Sequence, residues 1–237
     1  MISEKKFSRS FGPFWMMHLP FFSDYYSSSA VLGEKIHPHI ETIETADMRG
    51  LTNIIAFIHY KALLQNPSTP VSESIDNAYP IVRYFYRKYH EDTVIRYIHG
   101  SDEINQIVQE QALNIINRYP NKVVTDPFFP GYGFMPNCRG DLLVGDSLVE
   151  IKAGLYSSIR KPFNPEDFRQ LLIYLALNHA SDQPYPIKKI ELYNPRSGML
   201  WKSPIDEFIN IIANKSPIEL YQIILFEFEN RYDSFNN

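Results

Sequence analysis

Apolar residues recur along this chain at two different periods, and the changeover falls near residue 100. From Met48 to Leu64 the set Leu51, Ile54, Ile55, Ile58 and Ala62 repeats at helical spacing, which predicts a helix. A second helical stretch is predicted to open at Pro80, a residue favoured in a first turn, and to carry Ile81, Val82, Phe85 and Tyr89. Between them, Asn66 to Ser74 has the composition of a loop. The first 45 residues are rich in aromatic residues, Ser and Pro, and show no clear period.

Beyond Gly100 the grammar changes. Ser101 is placed as the N-cap of a helix from Asp102 to Tyr119, whose apolar positions Ile104, Ile107, Val108, Ala112, Ile115, Ile116 and Tyr119 form one stripe. Pro120 ends it. Short β-prone runs follow at Lys122 to Phe129, Asp141 to Val144 and Leu148 to Ala153. The next helix has a marked start: Asn164 as N-cap, Pro165 in the first position, then Glu166 and Asp167 in the first turn. Phe168, Leu171, Leu172, Leu175 and Ala176 make its core face. Lys189 to Tyr193 and Met199 to Lys202 read as strands around a turn at Pro195 to Gly198, and a helical region opens after Ser203. From Ser101 the order is therefore α-β-β-β-α-β, followed by additions.

The chain has 237 residues, 44% hydrophobic and 21% charged, which describes a globular protein rather than a disordered one. A formal charge of −4 supplies no global basic field, so a histone-like polyanion binder is disfavoured while an enzyme with local basic residues is not. Cys138 is the only cysteine, which excludes an intrachain disulfide and any Cys-based metal cluster and fits a reducing compartment. The apolar stretch at residues 14–22 is interrupted by His18 and Pro20. Nowhere do the roughly 18 apolar residues of a membrane span run together. A soluble, cytoplasmic protein with no membrane partner is expected. Walker-type glycine loops and the Gly-x-Ser-x-Gly elbow are absent from the sequence.

Chemistry concentrates in Gly140 to Lys152, GDLLVGDSLVEIK. Alternation along a strand sends Glu150 and Lys152 to one face and Val149 and Ile151 to the other. With Gly145 and Asp146 as a hairpin turn, Asp141 returns beside the Glu150 to Lys152 end. Two carboxylates and an ammonium then converge on one point. Hard divalent cations take carboxylate oxygens, water and a substrate phosphate, and a nearby lysine can orient or deprotonate the attacking water.

This set, Asp141, eight residues, Glu150, one residue, Lys152, resembles the PD-(D/E)xK nuclease superfamily, and the αβββαβ order is similar to that superfamily's core. Gln170 and Tyr174, a Gln-x-x-x-Tyr step on the following helix, resemble its RecB-like branch. The resemblance covers about residues 101–195. Gly140 stands where the superfamily's name has proline, and the four cysteines of its iron–sulfur members are missing.

The resemblance implies an α/β protein with a restriction-endonuclease-like αβββαβ core in residues 101–237, a helical accessory region in residues 1–100, and C-terminal helices. It implies Mg²⁺ or Mn²⁺ held by Asp141 and Glu150, with the Ile151 carbonyl as a third protein ligand and Lys152 positioning the water. Members often add a glutamate from the helix before the sheet; Glu103 and Glu110 are the candidates, and mid-helix Glu110 is the expected one. Gln170 and Tyr174, at i and i+4, are expected to share a face turned to the cleft and the nucleic acid. Arg160 and Lys161, in the loop after the Lys152 strand, are placed for phosphate contacts, with Arg169 assisting. The basic-aromatic run around Arg83, Arg87 and Lys88 is expected to set substrate choice.

The implied function is a metal-dependent nuclease that hydrolyses DNA, with RNA left open, in a setting such as prokaryotic restriction, repair or defence against phage. The alternative is a non-catalytic nucleic-acid- or protein-binding subunit on the same fold. A protein partner or a homo-oligomer remains compatible with either.

Overall fold

Alternating side chains give a strand two faces, and here both faces of the central strands are apolar, so the sheet has to be covered on both sides. In the computed structural model, residues 2–41, 46–85, 102–120, 122–153 and 162–230 are described, with the side chains of residues 46–48, 79 and 81–85 excepted. Three short helices come first: α1 (Glu4–Ser10), α2 (Gly12–His18) and α3 (Phe22–Ser27). A two-residue strand β1 (Glu34–Lys35) precedes the long helices α4 (Ala46–Gln65), α5 (Val71–Phe85) and α6 (Asp102–Arg118). Then come β2 (Val123–Thr125), β3 (Phe128–Phe129), β4 (Cys138–Arg139), β5 (Leu142–Val144) and β6 (Ser147–Ile151). Helix α7 (Pro165–His179), β7 (Lys189–Asn194), β8 (Met199–Pro204), α8 (Ile205–Ala213) and α9 (Pro217–Asn230) complete the described chain.

The result is a mixed α/β protein built on a six-stranded sheet in the order β1-β8-β7-β6-β5-β2. Among the described residues only the β6–β7 pairing is parallel, and α7 is the crossover that joins those two strands; the other pairings are antiparallel. Leu148, Ile190, Leu192 and Trp201 point to one face, against α7, α8, α9 and the N-terminal helices. Leu142, Val149, Tyr193 and Leu200 point to the other, against Tyr60 and Leu63 of α4 and Ala112 and Ile115 of α6. Among the described residues no helix is long and apolar enough to cross a membrane.

Two expectations need correction. The helix predicted to open at Pro80 opens at Val71 and runs through Pro80 to Phe85. Pro80 supplies no N–H to the helical ladder, and the turns before it are anchored by burial of Ile75 and Ala78 against α4 and α6. The β-prone run from Lys122 to Phe129 is divided at Asp126, whose φ of 52° turns the chain. Its first part joins the main sheet, and Phe128–Phe129 pairs instead with Cys138–Arg139. Among the described residues, burial also runs across the boundary near residue 100. Phe7, Trp15 and Phe22 share one cluster with Phe168 and Phe228, and Tyr60 shares another with Val149.

Candidate active site

The β5–β6 hairpin brings the chemistry together. Its turn is Gly145-Asp146, and Gly145 sits at φ 61°, a conformation strained for an L side chain. The pairing Leu142↔Val149 puts Asp141 across from Glu150. The Ile151 amide donates to Asp141 Oδ2 at 2.7 Å, fixing the carboxylate at the strand end. Val149 is fully buried on the far face, so Glu150 projects toward α7, as the alternation predicts.

Helix α7 supplies the other wall. Asp167 Oδ2 accepts the Asn164 backbone N–H at 2.8 Å, which caps the helix and fixes its start. Asp167, Gln170 and Tyr174 then follow one another along one flank at spacings of three and four. Lys152 Nζ donates to Glu150 Oε1 at 2.9 Å and to Gln170 Oε1 at 2.7 Å, and Asp167 Oδ1 lies 3.7 Å away. Gln170 Nε2 donates in turn to the Tyr174 hydroxyl at 2.7 Å.

Burial and charge set the protonation of this cluster. Burial works against the Lys152 ammonium, but the carboxylates of Glu150, Asp167 and Asp141 outweigh it and raise its pKa, so the lysine is a cation and a donor. Burial first, and the Glu150 charge second, push Asp141 up to about 7. Burial also raises Asp167, opposed by Lys152. One atom stands out: Glu150 Oε2 is buried and has no hydrogen-bond partner. An orphaned carboxylate oxygen near a second carboxylate whose pKa is raised is what a hard cation would satisfy. Asp141, Glu150 and the Ile151 carbonyl fit an ion that keeps several waters, as Mg²⁺ does. Among the described residues, no group of three or more His, Cys, Asp or Glu side chains assembles a fuller cage.

A cleft of about 560 Å³ opens over this edge. Asp141, Ile151, Lys152, Asp167 and Gln170 line it from the sheet and α7.

Asp141, Glu150, Ile151, Lys152 and Gln170 thus come together. The remaining expectations fare differently. Glu110 lies on another flank of α6, where its Oε1 accepts from Gln106 Nε2 at 2.8 Å on an exposed surface, so it does not reach the carboxylates. The residues that α6 sends to the cleft are its neighbour Gln111 and Ile115. Tyr174 is only 1% exposed and stacks on Phe129 with centroids 5.1 Å apart. It braces Gln170 and does not face the cleft, because α7 is buried along both flanks. Arg169 points away too: it donates to the Ser8 carbonyl at 3.2 Å and lies over the Trp15 and Phe22 rings. Arg160, Lys161, Arg87 and Lys88 lie outside the described residues, as does the side chain of Arg83.

Sequence reasoning missed Asp167 and Gln111. Asp167 had a sufficient explanation as a first-turn acid, and its Lys152 contact depends on the crossover. Gln111 carried a signal, since it is a polar residue inside the apolar stripe of α6. Compared with protein-family models, curated proteins and solved structures, the chain finds no match.

Proposed function

We propose that the protein is a metal-dependent nuclease that hydrolyses phosphodiester bonds of DNA, on a core of the PD-(D/E)xK kind. The observation that carries this reading is the convergence of Asp141, Glu150 and Lys152 at one sheet edge, under a cleft, with Glu150 Oε2 buried and unpartnered. The order α6-β2-β5-β6-α7-β7 supports it as the αβββαβ arrangement that the motif calls for. Mg²⁺ or Mn²⁺ would be held by Asp141, Glu150 and the Ile151 carbonyl, and would there acidify a water and offset phosphate charge. Lys152, held charged by three carboxylates, orients that water and donates toward the phosphate. Gln170 fixes the ammonium, and Tyr174 fixes Gln170.

The test is to incubate the full chain with supercoiled, linear and single-stranded DNA, and with RNA, with and without Mg²⁺ or Mn²⁺. Cation-dependent cleavage that disappears in Glu150→Gln supports the reading. No cleavage of any substrate in either cation would overturn it.

A further inference from the structure

Helices α1 and α4, with α6 of the core, close over the catalytic edge. Lys5 of α1, Phe57 and Lys61 of α4, and Gln111 of α6 line the same cleft as Asp141 and Lys152. At about 560 Å³ the space falls in the range that encloses one drug-sized molecule, which is room for a piece of one strand rather than for the paired strands of a duplex.

Three features of the wall point to an occupant. Phe57 is a half-buried ring that leaves an aromatic surface on the wall; Lys61 Nζ lies 5.0 Å from its centroid and is itself paired with Asp126 at 3.0 Å. Gln111 is 1% exposed, and its Nε2 is buried without a hydrogen-bond partner, a donor lacking an acceptor. Lys5 is exposed, and its ammonium makes no hydrogen bond or ion pair among the described residues. Aromatic surface, cations and an unused donor in a narrow groove are the means by which proteins hold unpaired strands without reading their sequence.

We propose that the cleft seats a single nucleic-acid strand, with Phe57 against a base and Lys5 and Gln111 on the backbone, and that α1 and α4 exclude an intact duplex. This rests on the nuclease reading. It assigns to the N-terminal helices a choice between unpaired and paired substrate.

Metal-free full-length protein is titrated with a short labelled single strand of DNA, the same sequence as RNA, and a blunt hairpin duplex, and binding is followed by anisotropy. The single strand should bind at least about tenfold more tightly than the duplex. Phe57→Leu, which keeps apolar volume, and Gln111→Leu should each lower single-strand affinity about fivefold or more. Gln111→Leu should do so without lowering the melting temperature, an outcome a merely structural role would not produce. Lys5→Ala should make the salt dependence shallower by about one phosphate contact. RNA bound as well as DNA supports the single-strand seat. Equal affinity for the duplex, or normally folded variants that bind like the wild type, would overturn the inference while leaving metal-dependent cleavage intact. No binding of any strand, together with no cleavage, would remove the nuclease reading as well.

Discussion

Replacing Lys152 with methionine keeps the aliphatic stem and deletes only the charge. The ammonium sits 2.9 Å from Glu150 and 3.7 Å from Asp167, with the side chains of the three residues 14%, 5% and 9% exposed. At an effective dielectric of about 20, two charges near 4 Å attract by about 4 kcal/mol each. Part of that is offset by desolvating the ammonium. The net loss on removing one partner from a buried cluster is about 3–5 kcal/mol, because the remaining carboxylates are left uncompensated. Asp167, whose pKa burial already raises against the pull of Lys152, loses that pull and moves further above its unfolded value, so its share of the penalty is fully present above the raised folded pKa and fades as pH falls toward the unfolded one.

Urea denaturation of wild type and Lys152→Met at pH 8 and pH 5 measures this. The variant should be less stable by about 3–5 kcal/mol at pH 8 and by distinctly less at pH 5. Adding Mg²⁺ at pH 8 should recover part of the difference, since a cation at Asp141 and Glu150 replaces the lost charge. Cleavage should be abolished in both conditions. A loss under about 1 kcal/mol at pH 8, or one that is the same at both pH values, would show that the lysine does not hold the carboxylates in place.

Other consequences follow from the same geometry. Asp141→Asn and Glu150→Gln should each weaken the calorimetric response to Mn²⁺ along with cleavage; an unchanged titration in both would place the cation elsewhere. Asp141, with a folded pKa near 7 and an ordinary unfolded value, keeps a proton that unfolding releases, so metal-free stability should fall as pH rises toward and through 7. That slope should flatten in Asp141→Asn, and a slope unaltered by the substitution would assign the titration to another group. Tyr174→Phe leaves Gln170 Nε2 without its acceptor and should cost about 1–3 kcal/mol, lowering kcat with KM unchanged; a rise in KM alone would restore Tyr174 to the substrate. Glu110→Ala should alter stability by no more than about 0.5 kcal/mol and leave the Mn²⁺ titration as it was.

What the sequence disclosed depended on the range over which each signal acts. The convergence of Asp141, Glu150 and Lys152 was legible because a two-residue hairpin and strand alternation are local, and together they fix three side chains within twelve residues. The Gln170 contact was half legible. The spacing to Tyr174 put both on one flank of α7, but whether that flank meets solvent or strands depends on Phe129, a residue far back in the chain. Glu110 and Gln111 differ by about 100° around α6, and no local rule decides which of them meets the cleft. Gln111 was marked only by being a polar interruption of an apolar stripe, and the cleft that explains the interruption is built largely by α1 and α4. Helix α4 was legible from its period, but α1 lies in the stretch that local patterning described least. Helices of six or seven residues such as α1, α2 and α3 offer fewer than two full turns, too few to show a period, and their stability comes from tertiary burial of Phe7, Trp15 and Phe22. Short helices of this sort therefore conceal, in the sequence, part of what shapes the approach to the edge that carries Asp141, Glu150 and Lys152. If Phe57, Lys5 and Gln111 set the choice of substrate, that choice is made by residues from three elements that no motif connects.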